Sequence, residues 1–169
     1  TDLKDKNVLE VGAGRGGGAH YIVRYLEPSF YTGLDLSKKG IEFNNKYYNV
    51  DNLRFVLGDA EDLPFESESF DAVVNVESSR CYPHIDRFFN EVQRVLKPGG
   101  DFLLTDMRWK EDLPLLRSQI EESGFSIIAE HNITDNVVLS LSLDHERRTS
   151  LMRSKIPDSL FRTFGEFAG

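Results

Sequence analysis

Residues 8–16 read Val8-Leu9-Glu10-Val11-Gly12-Ala13-Gly14-Arg15-Gly16, an apolar run that breaks into alternating glycines. Asn7–Val11 has the β-rich character of a buried strand, and Ala19–Leu26, apolar at helical spacing, follows before Pro28. Strand, glycine turn and helix start together make a ligand cradle. Glycines let the backbone take positive φ and approach a ligand closely, and the first helical N–H groups face that ligand. A glycine turn alone leaves the ligand open, because nicotinamide and flavin enzymes use a related one. Glu10 narrows the choice. A carboxylate two residues before the first glycine is awkward beside an anionic pyrophosphate and suits a cationic ammonium. The glycine spacing is also looser than the strict dinucleotide pattern. A turn with no ligand is the bland alternative.

Outward from this stretch, apolar runs alternate with helical segments. Phe30–Leu34, Leu53–Leu57, Phe70–Val76 and Phe102–Thr105 read as further strands, and Ile41–Tyr48, Ile85–Leu96 and Leu113–Glu122 as helices. Lys97-Pro98-Gly99-Gly100 is a helix stop and turn. Phe125–Glu130 and Val137–Leu143 read as two more strands, and the short spacer His131–Asn136 makes that pair antiparallel. The alternation indicates an α/β fold, a Rossmann-like three-layer αβα sandwich on a mostly parallel sheet.

The bulk numbers exclude several classes. A chain of 169 residues, 40% hydrophobic, fits one domain with an ordinary core. It begins at Thr1 and reaches a strand at once, which suggests a trimmed core lacking an N-terminal segment. The net charge of −8 disfavours nucleic acid as a partner. A lone cysteine, Cys81, makes no internal disulfide and fits a reducing, cytoplasmic setting. No apolar run nears the roughly 20 residues that span a bilayer, so no stable membrane insertion is expected. Peripheral attachment stays open.

Two later stretches extend the cradle. In Gly33-Leu34-Asp35-Leu36-Ser37, Asp35 ends the second strand about twenty residues after the turn, where a carboxylate accepts from both ribose hydroxyls. Ser37 then serves as cap for the next helix, leaving Asp35 to the ribose. In Gly58-Asp59-Ala60-Glu61-Asp62-Leu63-Pro64-Phe65, Asp59 can accept from an adenine amino group and small Ala60 leaves room for the ring. A plain surface turn is the other reading.

Glu-Val-Gly-Ala-Gly-Arg-Gly, Gly-Leu-Asp-Leu-Ser, Gly-Asp-Ala-Glu-Asp-Leu-Pro-Phe, Ser-Phe-Asp-Ala-Val-Val and Arg-Val-Leu-Lys-Pro-Gly-Gly occur in that order between Asn7 and Asp106. As a set they resemble the motif series of the class I S-adenosylmethionine (SAM) dependent methyltransferases. The resemblance implies seven strands in the order 3-2-1-4-5-7-6, strand 7 antiparallel. It implies SAM as cofactor and S-adenosylhomocysteine as product. The implied cofactor residues are Glu10, Gly12, Ala13 and Gly14 at the methionine end, Asp35 and Leu36 at the ribose, Asp59 and Ala60 at the adenine, and Glu77. Arg15-Gly16-Gly17-Gly18 and Asn75-Val76-Glu77-Ser78-Ser79-Arg80-Cys81-Tyr82-Pro83-His84 are similar to the small-molecule and lipid methyltransferases typified by the phthiotriol dimycocerosate enzymes. That group carries histidine where this chain has Arg80, so no catalytic role passes to Arg80.

Methyl transfer from a sulfonium is an in-line displacement in which the protein mainly positions the reactants. A hydroxyl acceptor gains from a general base. His84, in the loop after the fourth strand, is the base candidate because imidazole titrates near neutrality; capping the next helix is its alternative. Glu77 faces the methyl region, holds a substrate hydroxyl or binds backbone. Tyr82 stacks on the cofactor or lines the acceptor pocket. Cys81 is a filler. Glu77 and Asp106 resemble a Mg²⁺ pair, but no third ligand follows at a convincing spacing and no metal is expected. Arg147, Arg148, Arg153 and Lys155 read as a solvated face. Ile156, Leu160, Phe161, Phe164 and Phe167 form a stripe suited to core, to a homodimer contact or to a substrate cover. The expected function is methyl transfer to a small-molecule, lipid or polyketide acceptor, at a hydroxyl. A non-catalytic SAM-fold binding module and an NAD-dependent oxidoreductase are the alternatives.

Overall fold

The computed structural model describes residues 1–155, so the stripe from Ile156 to Phe167 lies outside the described residues. The chain forms two compact units, Thr1–Ile127 and one that starts at Ile128. The first holds a five-stranded, all-parallel sheet in the order β3-β2-β1-β4-β5. Its elements run β1 (Asn7–Val11), α1 (Gly17–Tyr25), β2 (Phe30–Asp35), α2 (Lys38–Tyr47), β3 (Leu53–Leu57), β4 (Phe70–Val76), α3 (Ile85–Val95), β5 (Leu96–Thr105) and α4 (Leu113–Glu122). The second holds α5 (Thr134–Leu143) and α6 (His145–Lys155).

The period-two alternation of β1 divides the core. Leu9 and Val11 join Leu34, Val73 and the α3 residues Phe88, Phe89, Val92 and Val95 on one face. Val8 joins Tyr31, Ala72, Val74, the α1 residues Ala19 and Val23, and Ile41 of α2 on the other. All four α3 residues are fully buried, each worth about 1.5–3 kcal/mol in transfer from water. β1 pairs with β2 on one side and β4 on the other, so the chain order reverses there. At such a switch point a crevice opens beyond the carboxyl ends of the strands, and ligands of open α/β sheets bind in it.

The seven-strand order 3-2-1-4-5-7-6 is corrected by the structure: five strands form among the described residues, none antiparallel. Phe125–Glu130 is not a strand, and Val137–Leu143 lies within α5. Leu139-Ser140-Leu141-Ser142-Leu143 alternates like a strand, but a strand needs a ladder partner, whereas a helix satisfies its own backbone. The Asn132 side chain accepts from Thr134 N at 2.9 Å, which starts that helix. Lys97–Gly100 is taken into β5 as an irregularity: register slips between Phe70, paired with Leu96, and Ala72, paired with Asp101.

Candidate functional site

The glycine turn is held from below by backbone. Gly12 N and Ala13 N both donate to Leu34 O, at 2.8 and 2.9 Å. Gly12 has φ +83° and Gly14 φ +53°, values that L side chains rarely adopt. The two differ in surroundings. A Cβ on Gly12 would overlap Ser78 Oγ and come within 3.0 Å of Tyr82 Oη, whereas one on Gly14 would meet nothing within 4 Å. Gly14 therefore presents an open face. Asp35 closes the turn's rim: its Oδ2 accepts from Gly14 N and its Oδ1 from Ser37 N, both at 2.8 Å. Each oxygen keeps a lone pair for a further donor. Ser37 Oγ caps α2 by accepting from Gly40 N at 3.1 Å, and Asn44 Nδ2 secures Gly14 O at 2.9 Å.

Glu10 lies beneath this turn at 5% exposure, and its Oε2 has no hydrogen-bond partner. A Cβ on Gly18 of α1 would sit 3.3 Å from its other carboxyl oxygen. Burial pushes the carboxyl up to about 7; the neighbouring Tyr31 hydroxyl opposes this and Asp35 adds to it. No hydrogen bond of ordinary geometry joins Glu10 and Tyr31, whose hydroxyl is also unpartnered, and burial beside Glu10 pushes the Tyr31 hydroxyl up as well. An orphaned buried acid of this kind suits a cation and repels a pyrophosphate.

At the far end of the site Asp59 is exposed, with Oδ1 accepting from Glu61 N at 2.9 Å, and Ala60 is buried in the α3-side core. Leu36, directly after Asp35, is 72% exposed and offers an apolar flank. The donor set thus fits an adenosyl ligand with a charged amino-acid tail: open glycine face, Asp35 for a diol, and Glu10 for an ammonium.

The loop after β4 is built differently. Asn75 is the fully buried polar residue of β4, with Nδ2 2.9 Å from Val11 O, 2.8 Å from Ser78 Oγ and 3.1 Å from Tyr82 Oη. Tyr82 turns its hydroxyl inward to this group and packs its ring edge-on to Phe88, centroids 4.8 Å apart; burial pushes the hydroxyl up against the pull of Ser78 and Asn75. Glu77 is exposed with φ +51°, a left-handed backbone that costs a non-glycine residue energy and that clusters at functional sites. Its N–H donates to Thr105 O at 2.7 Å. His84 is exposed at the N-cap of α3, makes no side-chain cap, and is fixed by its N–H to Glu61 Oε1 at 2.8 Å. Cys81 is exposed rather than a buried filler.

Asp106, weighed above as a metal ligand, has a side chain only 1% exposed and is saturated. It pairs with Arg108 at 2.9 Å and accepts from Ser79 Oγ at 2.6 Å, Arg80 N at 3.0 Å and Met107 N at 2.8 Å. No group of three or more potential metal ligands occurs among the described residues. Arg147 and Arg148 both reach Asp144 within their own helical turn. The sequence reading passed over Asn75, Ser78, Ser79, Glu61 and Arg108. Only Asn75 carried a signal, as a polar side chain inside Phe-Asp-Ala-Val-Val-Asn-Val.

Residues 9–104 match the methyltransferase domain family. The chain is 44% identical over 157 residues to the fatty-acid O-methyltransferase of Mycolicibacterium smegmatis, covering 93% of this chain and 57% of that protein. It is 41% identical over 169 residues to the phthiotriol/phenolphthiotriol dimycocerosates methyltransferase of Mycobacterium tuberculosis, covering 100% of this chain and 63% of the relative. The chain therefore spans less than two thirds of the length of either relative. Among solved structures, the YcgJ protein of Bacillus subtilis superposes with a TM-score of 0.62 at 33% identity, over 69% of this chain and 50% of that one.

Proposed function

The chain belongs to the class I SAM-dependent methyltransferase family, and from that premise we propose that it transfers a methyl group from SAM to an oxygen of a lipid or similar small-molecule acceptor. The observation that carries the cofactor part is Glu10, a buried carboxylate with an unpartnered oxygen under an open glycine turn. Pyrophosphate there would meet like charge; the ammonium of a methionine tail meets its opposite.

When bound, the cofactor supplies a methyl carbon on a sulfonium, and displacement then needs alignment more than covalent help from the protein. Asp35 takes the ribose hydroxyls with the lone pairs that Gly14 N and Ser37 N leave open. Asp59 and Ala60 take the adenine, with Leu36 against the sugar. Gly12 and Gly14 admit the methionine end. Glu77 and His84 face the acceptor side; His84 removes the acceptor proton as carbon approaches oxygen, and Glu77 holds the acceptor hydroxyl. His84 suits this because its main chain is pinned by Glu61 while its ring stays exposed.

A lipid acceptor is favoured by the rim. Val76 at the end of β4, and Met107 and Trp109 after β5, are exposed on the carboxyl edge, Trp109 at 78%. Apolar side chains on the wet mouth of a ligand crevice suit an aliphatic chain. The names of the two relatives, one for a fatty acid and one for phthiotriol dimycocerosates, point the same way. No helix among the described residues is long and apolar enough to cross a membrane.

The test is incubation of the chain with methyl-labelled SAM and a panel of long-chain fatty acids and hydroxylated lipids. The expected product is a labelled methyl ester from a fatty acid or a labelled ether from a hydroxylated lipid; His84→Ala should slow ether formation by about 100-fold, the scale of a lost general base, and leave ester formation on the already ionised carboxylate unchanged. Cofactor binding with no label in any lipid would favour the non-catalytic binding module.

A further inference from the structure

Three oxygens surround one buried nitrogen where the acceptor loop meets the glycine turn. Asn75 Nδ2 lies 2.9 Å from Val11 O, 2.8 Å from Ser78 Oγ and 3.1 Å from Tyr82 Oη. Ser78 Oγ is 2.8 Å from Tyr82 Oη and 3.3 Å from Val11 O. The amide brings two protons, each hydroxyl one, and the carbonyl none. Two arrangements satisfy the group. In the first, Tyr82 donates to Ser78, Ser78 donates to Val11 O, and Asn75 donates to Val11 O and Tyr82. In the second, Asn75 donates to Val11 O and Ser78, and Ser78 donates to Tyr82. The second uses the shorter contacts, omits those at 3.1 and 3.3 Å, and leaves the Tyr82 proton free to turn outward.

That proton has a destination. Tyr82 Oη stands 3.0 Å from the point a Cβ of Gly12 would occupy, at the first glycine of the turn. On the cofactor reading above, on which this inference rests, the turn admits a methionine end that carries an ammonium and a carboxylate. Glu10 suits the ammonium and repels the carboxylate, which therefore needs a donor from another direction. We propose that the Tyr82 hydroxyl is the hydrogen-bond donor to the carboxylate of the cofactor's methionine end, with Ser78 and Asn75 as positioning residues that hold its oxygen and release its proton. With the site empty the first arrangement keeps every proton inside. Arrival of the carboxylate draws the Tyr82 proton out, and Ser78 and Asn75 each turn a donor to close the gap. Because Ser78 and Tyr82 belong to the acceptor loop, the same contact fastens that loop over the cofactor.

The test is calorimetric titration of the unmodified chain, Tyr82→Phe, Ser78→Ala and the double variant with two ligands: S-adenosylhomocysteine and its decarboxylated analogue, which keeps the amine and lacks the carboxylate. Tyr82→Phe is expected to weaken S-adenosylhomocysteine by about 10- to 100-fold, the range of one hydrogen bond to a charged group, and to leave the decarboxylated ligand unchanged. Ser78→Ala should weaken S-adenosylhomocysteine by a smaller factor, and the double variant should bind no more weakly than Tyr82→Phe, since Ser78 acts through Tyr82. Phenylalanine keeps the ring contact with Phe88; should that variant fail to fold, Ser78→Ala carries the same comparison of ligands. Equal losses for both ligands, or no loss for either, overturn the proposal while leaving the cofactor reading intact. Failure of the unmodified, folded chain to bind either ligand overturns both.

Discussion

The glycine turn is fixed along its main chain, with Gly12 N and Ala13 N held by Leu34 O, Gly14 N by Asp35 and Gly14 O by Asn44, above a buried Glu10. The loop after β4, on the same edge of the sheet, turns side chains outward. Glu77, Arg80 and His84 are exposed, and each is tied down through its own main-chain N–H, to Thr105 O, Asp106 and Glu61 respectively. The turn is thus held at each step of its main chain. The loop is a fixed track whose exposed side chains can change without disturbing its course. A fold that keeps one cofactor and serves varied acceptors is expected to divide its site in this way.

The sharpest way to break this contrast is within the turn itself. Gly12→Ala places a methyl in the left-handed region and into Ser78, and is expected to cost about 2–4 kcal/mol of stability and to abolish cofactor binding. Gly14→Ala meets open space and should cost about 1 kcal/mol, losing affinity through the methyl on the cofactor face. Denaturant melts that rank the two alike would contradict the account of the turn. Asp35→Asn comes next. It removes the charge that holds Gly14 N and Ser37 N and should weaken S-adenosylhomocysteine by about 10- to 100-fold in calorimetry.

Glu10 gives a prediction in pH. Its carboxyl sits at about 7 in the fold against an ordinary 4.5, so the unliganded fold prefers the protonated form. The ionisation penalty is absent below about pH 4.5, grows as pH rises, and is complete above about 7, where it reaches about 3 kcal/mol. Glu10→Gln should therefore gain stability relative to the unmodified chain between pH 4.5 and 8, as thermal melts across that range would reveal. A cationic ligand favours the ionised acid, so S-adenosylhomocysteine affinity should rise with pH through 7 in the unmodified chain and lose that slope in the variant. The smallest effect belongs to the loop. His84→Ala should leave stability within about 0.5 kcal/mol and cofactor affinity unchanged, however much it slows transfer.

The same division governs what the sequence made legible. Turn and core follow from local rules: glycine where φ is positive, β-branched runs where both faces are covered, and Asp35 at a fixed remove from the turn. Ser37 as cap and the span of β4 were readable on that basis, whereas the order β3-β2-β1-β4-β5 was implied only by the resemblance, within a longer seven-strand order. The acceptor side depends on contacts between distant residues. Asp106 looked like a ligand because its partners Ser79 and Arg108 are placed only by the fold. Asn75 showed polarity in β4, but not that it would hold Val11, Ser78 and Tyr82. Val137–Leu143 misled because a short apolar run fits either period, and with no strand to pair with it satisfies its backbone as a helix.

The central claim is that the glycine turn, with Glu10 beneath it and Asp35 beside it, is a SAM site. Calorimetric titration of the unmodified chain with SAM, S-adenosylhomocysteine and NAD tests it most directly. The account predicts saturable binding of both adenosyl ligands at neutral pH and none of NAD. Binding of NAD in place of the adenosyl ligands, or of none of the three by a chain shown to be folded, would contradict it.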